Sequence, residues 1–289
     1  MEELLVSCCV RTYNQAAYIS KGLDSILAQS TSFDYEIIVS DDCSKDGTVE
    51  ILKEYQQKYP QKIRLILGDT NVGGPANFRR VIEASDAKYL AFLDGDDYYC
   101  DAYKLQKQVD FLENNPQYAA CFHNVYNKRG DDLVSLFLPL NFKAVHTAED
   151  VITKKWFLPI HSVVLRREFV SFPDWYETVM NDDYVVNMAV AMHGPYYYMP
   201  DVMAVYRHHD CNISNQYSNL ILIDSQLKRI LEGFKDIYPE KYRECFDKKI
   251  AYYQREIEDL EKDVKYPIRK WLRLKTYNRM IRTFLRSRI

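Results

Sequence analysis

Apolar runs alternate with amphipathic stretches through the first hundred residues. Residues 4–10 form a dense apolar run, the pattern of a strand buried on both faces. Residues 17–29 then place Ile19, Leu23, Ile26 and Leu27 on one side, a helical spacing. Residues 35–40, 63–67 and 89–93 are further strand-like runs. Helical stretches at 48–58 and from a loop at 71–76 to about Ala84 separate them. This alternation predicts a parallel sheet covered by helices, with ligands held beyond the carboxyl ends of the strands, near a switch in strand order. Beyond it the pattern predicts a helix over 101–114, strands over 118–126, 133–138 and 161–166, and a helix over 147–155 with Thr147 as cap and Asp150 in its first turn. A helix over 181–193 and two short extended segments, 196–199 and 202–206, follow. From about Asn215 the pattern is helical and charged, broken at Tyr238-Pro239.

The fourth strand ends abruptly in Asp94-Gly95-Asp96-Asp97, three carboxylates within four residues. Clustered negative charge repels itself and loses solvation when half buried. A divalent cation removes the conflict, and hard oxygen ligands on a short turn suit Mg²⁺ or Mn²⁺ with diphosphate oxygens completing the shell. The turns 11–14 and 41–46 also follow strand ends, so all three are expected to meet at one crevice.

Composition narrows the setting. The 289 residues are 47% hydrophobic, ample for a core, and the formal charge of −3 gives no nucleic-acid signature. Seven cysteines, an odd number without metal-type spacing, point to a reducing compartment. The start Met-Glu-Glu-Leu-Leu lacks the basic region and cleavage site of a signal peptide, and no run approaches the length of a membrane span. A cytoplasmic setting is expected.

Taken in order, Val10-Arg-Thr-Tyr-Asn14, Glu36-Ile-Ile-Val-Ser-Asp-Asp42 with Ser44 and Asp46-Gly-Thr48, Asn71-Val-Gly73, Leu93-Asp-Gly-Asp-Asp97, Asp182-Asp183-Tyr184 and Met203-Ala-Val-Tyr-Arg207 resemble the motifs of family 2 glycosyltransferases. The resemblance spans about residues 4–215. It implies a GT-A fold, an α/β Rossmann-like and mostly parallel sheet flanked by helices, over 1–215, with a helical extension over 216–289. It also implies an inverting enzyme that uses a nucleotide-diphosphosugar, a UDP-sugar favoured, with Mn²⁺ or Mg²⁺.

By position, the resemblance gives Arg11, Thr12, Tyr13, Asn14 and Asp42 to the nucleotide, although the family often has Pro where this chain has Arg11. Asn71, Gly73 and Asn77 would approach the donor, and Asp94 the ribose or sugar hydroxyls. Asp96 and Asp97 would supply the cation's ligands with His209, and which of the two aspartates binds directly stays open. His161 would line a sugar pocket and Arg207 would meet phosphate oxygens. Asp183 would be the general base, with Asp182 second.

The expected partners are that donor and a saccharide or lipid-linked saccharide acceptor of surface-polysaccharide or glycolipid assembly. Helices over 218–263, with Tyr252, Tyr253, Ile257 and Leu260 near one stripe, suggest packing or self-association. Residues 265–289 carry nine basic residues and no acidic one, interleaved with bulky apolar side chains. That pattern fits a peripheral anchor on the anionic inner face of the cell membrane and fits equally a helix docked on the catalytic domain. Two rival readings are a nucleotide-sugar-binding protein without transfer and another metal-dependent phosphate enzyme. The first strand ends in neither a nucleophilic Asp nor a Gly-rich basic loop, which disfavours phosphatases and nucleotidyltransferases.

Overall fold

The protein was analysed as a computed structural model that describes residues 4–154, 157–209 and 220–265. The chain forms two compact units, Met1–Asp210 and Cys211–Ile289. The expected boundary at 215 and nearly all of the basic tail lie outside the described residues.

In the first unit the elements run β1 (Leu4–Thr12), α1 (Ile19–Leu27), β2 (Asp34–Asp41), α2 (Thr48–Lys58), β3 (Ile63–Leu67), α3 (Gly74–Glu83), β4 (Tyr89–Asp94) and β5 (Tyr98–Tyr99). Then come α4 (Lys104–Asn114), β6 (Ala120–Arg129), β7 (Asp132–Leu136), β8 (Val145–His146), α5 (Ala148–Thr153), β9 (Val164–Arg166), α6 (Asp182–Ala191) and β10 (Tyr196–His208). One ten-stranded sheet has the order β3-β2-β1-β4-β9-β6-β10-β5, with β7 on β6 and β8 on β10. The strands β3, β2, β1 and β4 pair in parallel, as do β6 and β10, whereas β5, β7, β8 and β9 pair antiparallel.

Val6 to Val10 of β1 are buried on both faces, which is why the run reads as continuously apolar. One face, through Val6, Cys8 and Val10, joins Ile19, Leu23 and Ile26 of α1 and Leu105, Val109 and Leu112 of α4. The other meets α3, where Phe78 packs on Phe92 with ring centroids 5.3 Å apart. The chain leaves β1 toward β2 and β3 on one side and returns to β4 on the other. The crevice at that switch point lies beyond Arg11 and Asp94, which are register partners.

Several local expectations are corrected. His161 lies in a short 3₁₀ turn, Ile160–Ser162, and the strand starts only at Val164. The two extended segments 196–199 and 202–206 are one strand, β10, whose register shifts around Pro200 and Asp201. The short strands β5 and β8 have no periodic signal to reveal them. Thr147 and Asp150 form the expected reciprocal cap of α5.

In the second unit, α7 (Leu220–Lys235) and α8 (Arg243–Lys265) pack on each other. Buried Ile230, Leu231, Phe234, Tyr238 and Phe246 form its core, and the helical break falls between Lys235 and Glu240. Tyr253 and Leu260 are buried, but Tyr252 is exposed and lies off the expected stripe, one residue out of helical phase. Among the described residues no helix is long and apolar enough to cross a membrane.

Candidate active site

The three polar turns do meet. The Asn14 N–H donates to Ser44 Oγ at 2.8 Å, and the Lys45 N–H donates to Asn14 Oδ1 at 2.8 Å. The Gly95 N–H donates to the Arg11 carbonyl at 3.0 Å. Gly95 is required by space. A Cβ there would stand 2.3 Å from Gln15 Oε1, 2.9 Å from Thr12 Oγ1 and 3.1 Å from Ile19 Cδ1.

The Asp94–Asp97 turn is fastened to β10 through β5, since Tyr98 and Tyr99 pair with Val205 and Ala204. That short antiparallel pairing delivers Arg207 and His209 to the aspartates. His209 Nε2 lies 2.8 Å from Asp96 Oδ2. Arg207 donates to the Asp96 carbonyl at 2.9 Å, and its guanidinium lies over the rings of Tyr98 at 4.6 Å and Tyr18 at 5.4 Å. The Tyr18 ring also stacks on His209 at 5.0 Å. Burial, then the neighbouring Asp97 and Asp94, push the Asp96 carboxyl up to about 6.

Asp97 is completely buried. Its Oδ1 accepts the Arg207 N–H at 2.8 Å, and His161 Nδ1 stands 3.1 Å from its Oδ2. Its carboxylate is therefore turned into the protein, away from solvent. His161 is 2% exposed, stacks on Tyr206 and lies against Asp97. Deeper still, Lys104 Nζ, Gln108 Oε1, His123 Nε2 and His161 Nε2 are buried with no hydrogen-bond partner among the described residues. Nothing in the sequence pattern marked Lys104, Gln108 or His123, because a polar residue on a buried helix face or strand looks like an ordinary surface position.

On the opposite side of the crevice, α6 begins with Asp182 and Asp183, where acidic side chains suit the helix N-terminus. Arg11 donates from Nε to Asp94 Oδ1 at 2.5 Å and from Nη1 to Asp182 Oδ2 at 2.6 Å, with its guanidinium 4.6 Å from the Phe78 ring centroid. Asp182 Oδ1 accepts the Asp183 N–H at 2.8 Å, and Asp183 Oδ1 accepts the Tyr184 N–H at 2.8 Å. Burial, followed by Asp182, raises the Asp183 carboxyl to about 6 against the opposing pull of Arg11. Tyr176 is fully buried, and its hydroxyl has no hydrogen-bond partner among the described residues.

The remaining expected site residues divide. Tyr13 and Asn71 are exposed, and Tyr13 offers an open ring face. Thr12 is buried under Gly95. Asp42 is 3% exposed and accepts the Val72 and Gly73 N–H groups at 2.8 and 2.9 Å. Gly73, at φ +89°, adopts a conformation that favours glycine. Asp41 is likewise engaged, by the Ser44 N–H and hydroxyl. Asn77 is buried and exchanges hydrogen bonds with the Ser40 hydroxyl and carbonyl, tying α3 to β2 away from the crevice.

Among the described residues no three His, Cys, Asp or Glu side chains gather in a metal-binding cluster. Asp96 and His209 nevertheless place a carboxylate oxygen and an imidazole nitrogen at one spot. A divalent cation there would take its other ligands from diphosphate and water, and the charge-crowded Asp96 carboxyl fits such a cation.

The chain is 40% identical over 201 residues to the uncharacterized protein Rv1520 of Mycobacterium tuberculosis, covering 68% of this chain and 57% of that relative. The chain thus spans little more than half the length of that relative. It is 37% identical over 108 residues to the putative teichuronic acid biosynthesis glycosyltransferase TuaG of Bacillus subtilis, covering 37% of this chain and 42% of TuaG. Staphylococcus aureus TarS 1–349 in complex with UDP-GlcNAc superposes with a TM-score of 0.65 at 17% identity, covering 87% of this chain and 72% of that one. The mannosyltransferase PcManGT of Pyrobaculum calidifontis, in complex with GDP-Man and Mn²⁺, gives 0.61 at 20% identity, covering 87% and 70%. At these identities the two structures establish a shared fold, the GT-A-like mixed sheet with flanking helices. Glycosyl transferase family 2 matches residues 7–169, more than half of the sequence and all three converging turns, and the chain belongs to that family.

Proposed function

We propose that this protein transfers a glycosyl group from a nucleotide-diphosphosugar, a UDP-sugar favoured, to a hydroxyl of a surface-polysaccharide or glycolipid acceptor, with inversion. One observation carries the reading. Asp96 meets His209 and Arg207 in the turn that begins at Asp94, and Arg11 joins Asp94 to Asp182, next to the half-buried Asp183. That is a place for a leaving diphosphate and a place for a base, as an in-line displacement requires.

The acceptor oxygen attacks the anomeric carbon from the face opposite the diphosphate. The bond from that carbon to the phosphate oxygen breaks with its electron pair on the phosphate. The acceptor proton passes to Asp183, whose carboxyl at about 6 is ionised yet still basic near neutral pH. Arg207, oriented by Tyr18, Tyr98 and the Asp96 carbonyl, faces the developing negative charge. Asp96 and His209 would hold a Mn²⁺ or Mg²⁺ ion, which supplies Lewis-acid neutralisation of the leaving group. Of the two aspartates, Asp96 is the direct ligand in this reading, because it is partly open and lies beside His209, whereas Asp97 is completely buried and gives one oxygen to the Arg207 N–H. The names of TuaG and TarS, a poly(ribitol-phosphate) β-N-acetylglucosaminyltransferase, support a cell-surface polymer as acceptor.

Calorimetric titration of the full chain with UDP-, GDP- and dTDP-sugars in MnCl₂, followed by transfer assays with the tightest binder, tests this. Asp183→Asn is expected to lower kcat by about 10²–10⁴ while donor binding persists. Transfer near the wild-type rate in that variant would remove Asp183 from the mechanism. Failure of every nucleotide sugar to bind would remove the enzyme reading.

A further inference from the structure

We propose that Arg11 is a positioning residue that bolts the donor side of the crevice to the acceptor side, holding the first turn of α6 against the end of β4 and so aiming Asp183. The inference deepens the reading of Asp183 as the base and rests on it. It also gives Arg11 a different task from contact with the nucleotide.

The geometry is a short chain of contacts. Arg11 Nε and Nη2 reach the two oxygens of Asp94, at 2.5 and 3.4 Å, and Nη1 reaches Asp182 Oδ2 at 2.6 Å. The guanidinium fork is thus consumed by carboxylates from two elements far apart in sequence, and its flat face rests on Phe78 of α3. The Asp182 side chain is only 4% exposed, and Arg11 is the ion-pair partner it has there. The second oxygen of Asp182 accepts the N–H of Asp183, and Asp183 in turn accepts the N–H of Tyr184. Moving Arg11 therefore moves Asp182 and, one bond further, the backbone that carries Asp183. A lysine could not span both carboxylates, because a point charge lacks the planar fork.

The same bridge sets the charge around Asp183. Among the described residues, the charged groups that act on it most are Asp182 on its own helix, Arg11 from β1 and Asp94 from β4. Tyr176 lies close by on the turn that precedes α6. Charges on the other neighbouring elements are occupied. Arg79 of α3 pairs with Glu83 and Glu177, and Asp150 of α5 pairs with Lys143 and Lys154. Arg11 is thus a cation that opposes two carboxylates beside the base.

The test needs no donor sugar. The full chain is labelled with ¹³C in aspartate carboxyls, and the Asp183 resonance is identified by its loss in Asp183→Asn. The wild-type titration midpoint is expected near 6. In Arg11→Gln it is expected to rise by about one unit, since an opposing charge has gone, and in Asp182→Asn to fall by about one unit. Binding of UDP with MnCl₂ is expected to stay within about twofold of wild type in both. Arg11→Lys is expected to return the midpoint to wild type yet leave kcat lowered by about 10- to 100-fold once a donor is in hand. An unmoved midpoint in Arg11→Gln, or a tenfold loss of UDP affinity, overturns the inference. Should Arg11→Gln fail to fold, an unmoved or raised midpoint in Asp182→Asn overturns it by itself. Wild-type transfer by Asp183→Asn would instead sink the base assignment and leave the bridge standing.

Discussion

Asp42 provides the sharpest test of how the nucleotide end of the crevice is built. Its carboxylate accepts the N–H groups of Val72 and Gly73, at 2.8 and 2.9 Å, and so clamps the loop before α3 to the end of β2. Asp42→Ala deletes two charge-assisted hydrogen bonds, each contributing about 1.5–3 kcal/mol. Val72 is exposed, so water replaces much of its share, whereas Gly73 is only half exposed. The expected cost is about 3 kcal/mol, which for a unit of this size lowers Tm by roughly 6–12 °C. Asp42→Asn keeps one acceptor oxygen and turns an amide toward the second N–H, so it recovers less than half. Urea unfolding followed by circular dichroism, with hydrogen exchange at the Val72 and Gly73 amides, measures both effects. Exchange isolates this unit, since a chain with two compact units need not unfold in one step. If Asp42→Ala lost under 0.5 kcal/mol on that scale while UDP affinity collapsed, the carboxylate would be a base-reading group and the clamp argument would be wrong.

Lys104 carries a pH-dependent expectation. Burial pushes its ammonium from 10.5 down to about 8. Between those values the unfolded chain binds the proton more tightly, so wild-type stability rises with pH across that window and is lower by about 3 kcal/mol beneath it. Lys104→Met should stabilise the protein by about 2 kcal/mol at pH 7 and progressively less toward pH 10.5 in paired urea melts, and a pH-independent difference would refute this. Gly95→Ala forces Gln15, Thr12 and Ile19 aside and should cost about 1–2 kcal/mol. It should also raise the Mn²⁺ concentration needed for UDP binding, and an unchanged requirement would show that Asp96 did not move. His161→Ala removes the imidazole nitrogen that stands 3.1 Å from the buried Asp97 Oδ2 and should destabilise the protein by about 2 kcal/mol. A loss of less than 1 kcal/mol in thermal melts would mean that the Arg207 N–H alone satisfies that carboxylate.

Much of this was legible in the residue pattern. A strand buried on both faces has to be apolar throughout, so β1, β2 and β4 announce themselves, and the turns closing them must lie at one edge of a parallel sheet. The motif order then carried the family, and with it the crevice. Isolated side chains were harder. Asn77 looked like a donor contact because it follows a glycine-rich loop, but helix phase turns it inward onto Ser40. His161 and Asp97 looked like ligands because their residue types bind sugars and metals, yet both face the interior. Tyr252 shared the apolar character of its neighbours but not their helical phase.

The sequence by itself determined the parallel strands β1 to β4, that their carboxyl ends share an edge, and that acidic groups crowd there, since periodicity and local charge are properties of neighbours along the chain. Only the tertiary structure decided which aspartate is open and which is buried, that Tyr98 and Tyr99 carry Arg207 and His209 to Asp96, and that Arg11 spans Asp94 and Asp182. Each of those outcomes depends on contacts between residues about 60 to 170 positions apart, and burial and pairing at that range follow from packing rather than from any local pattern.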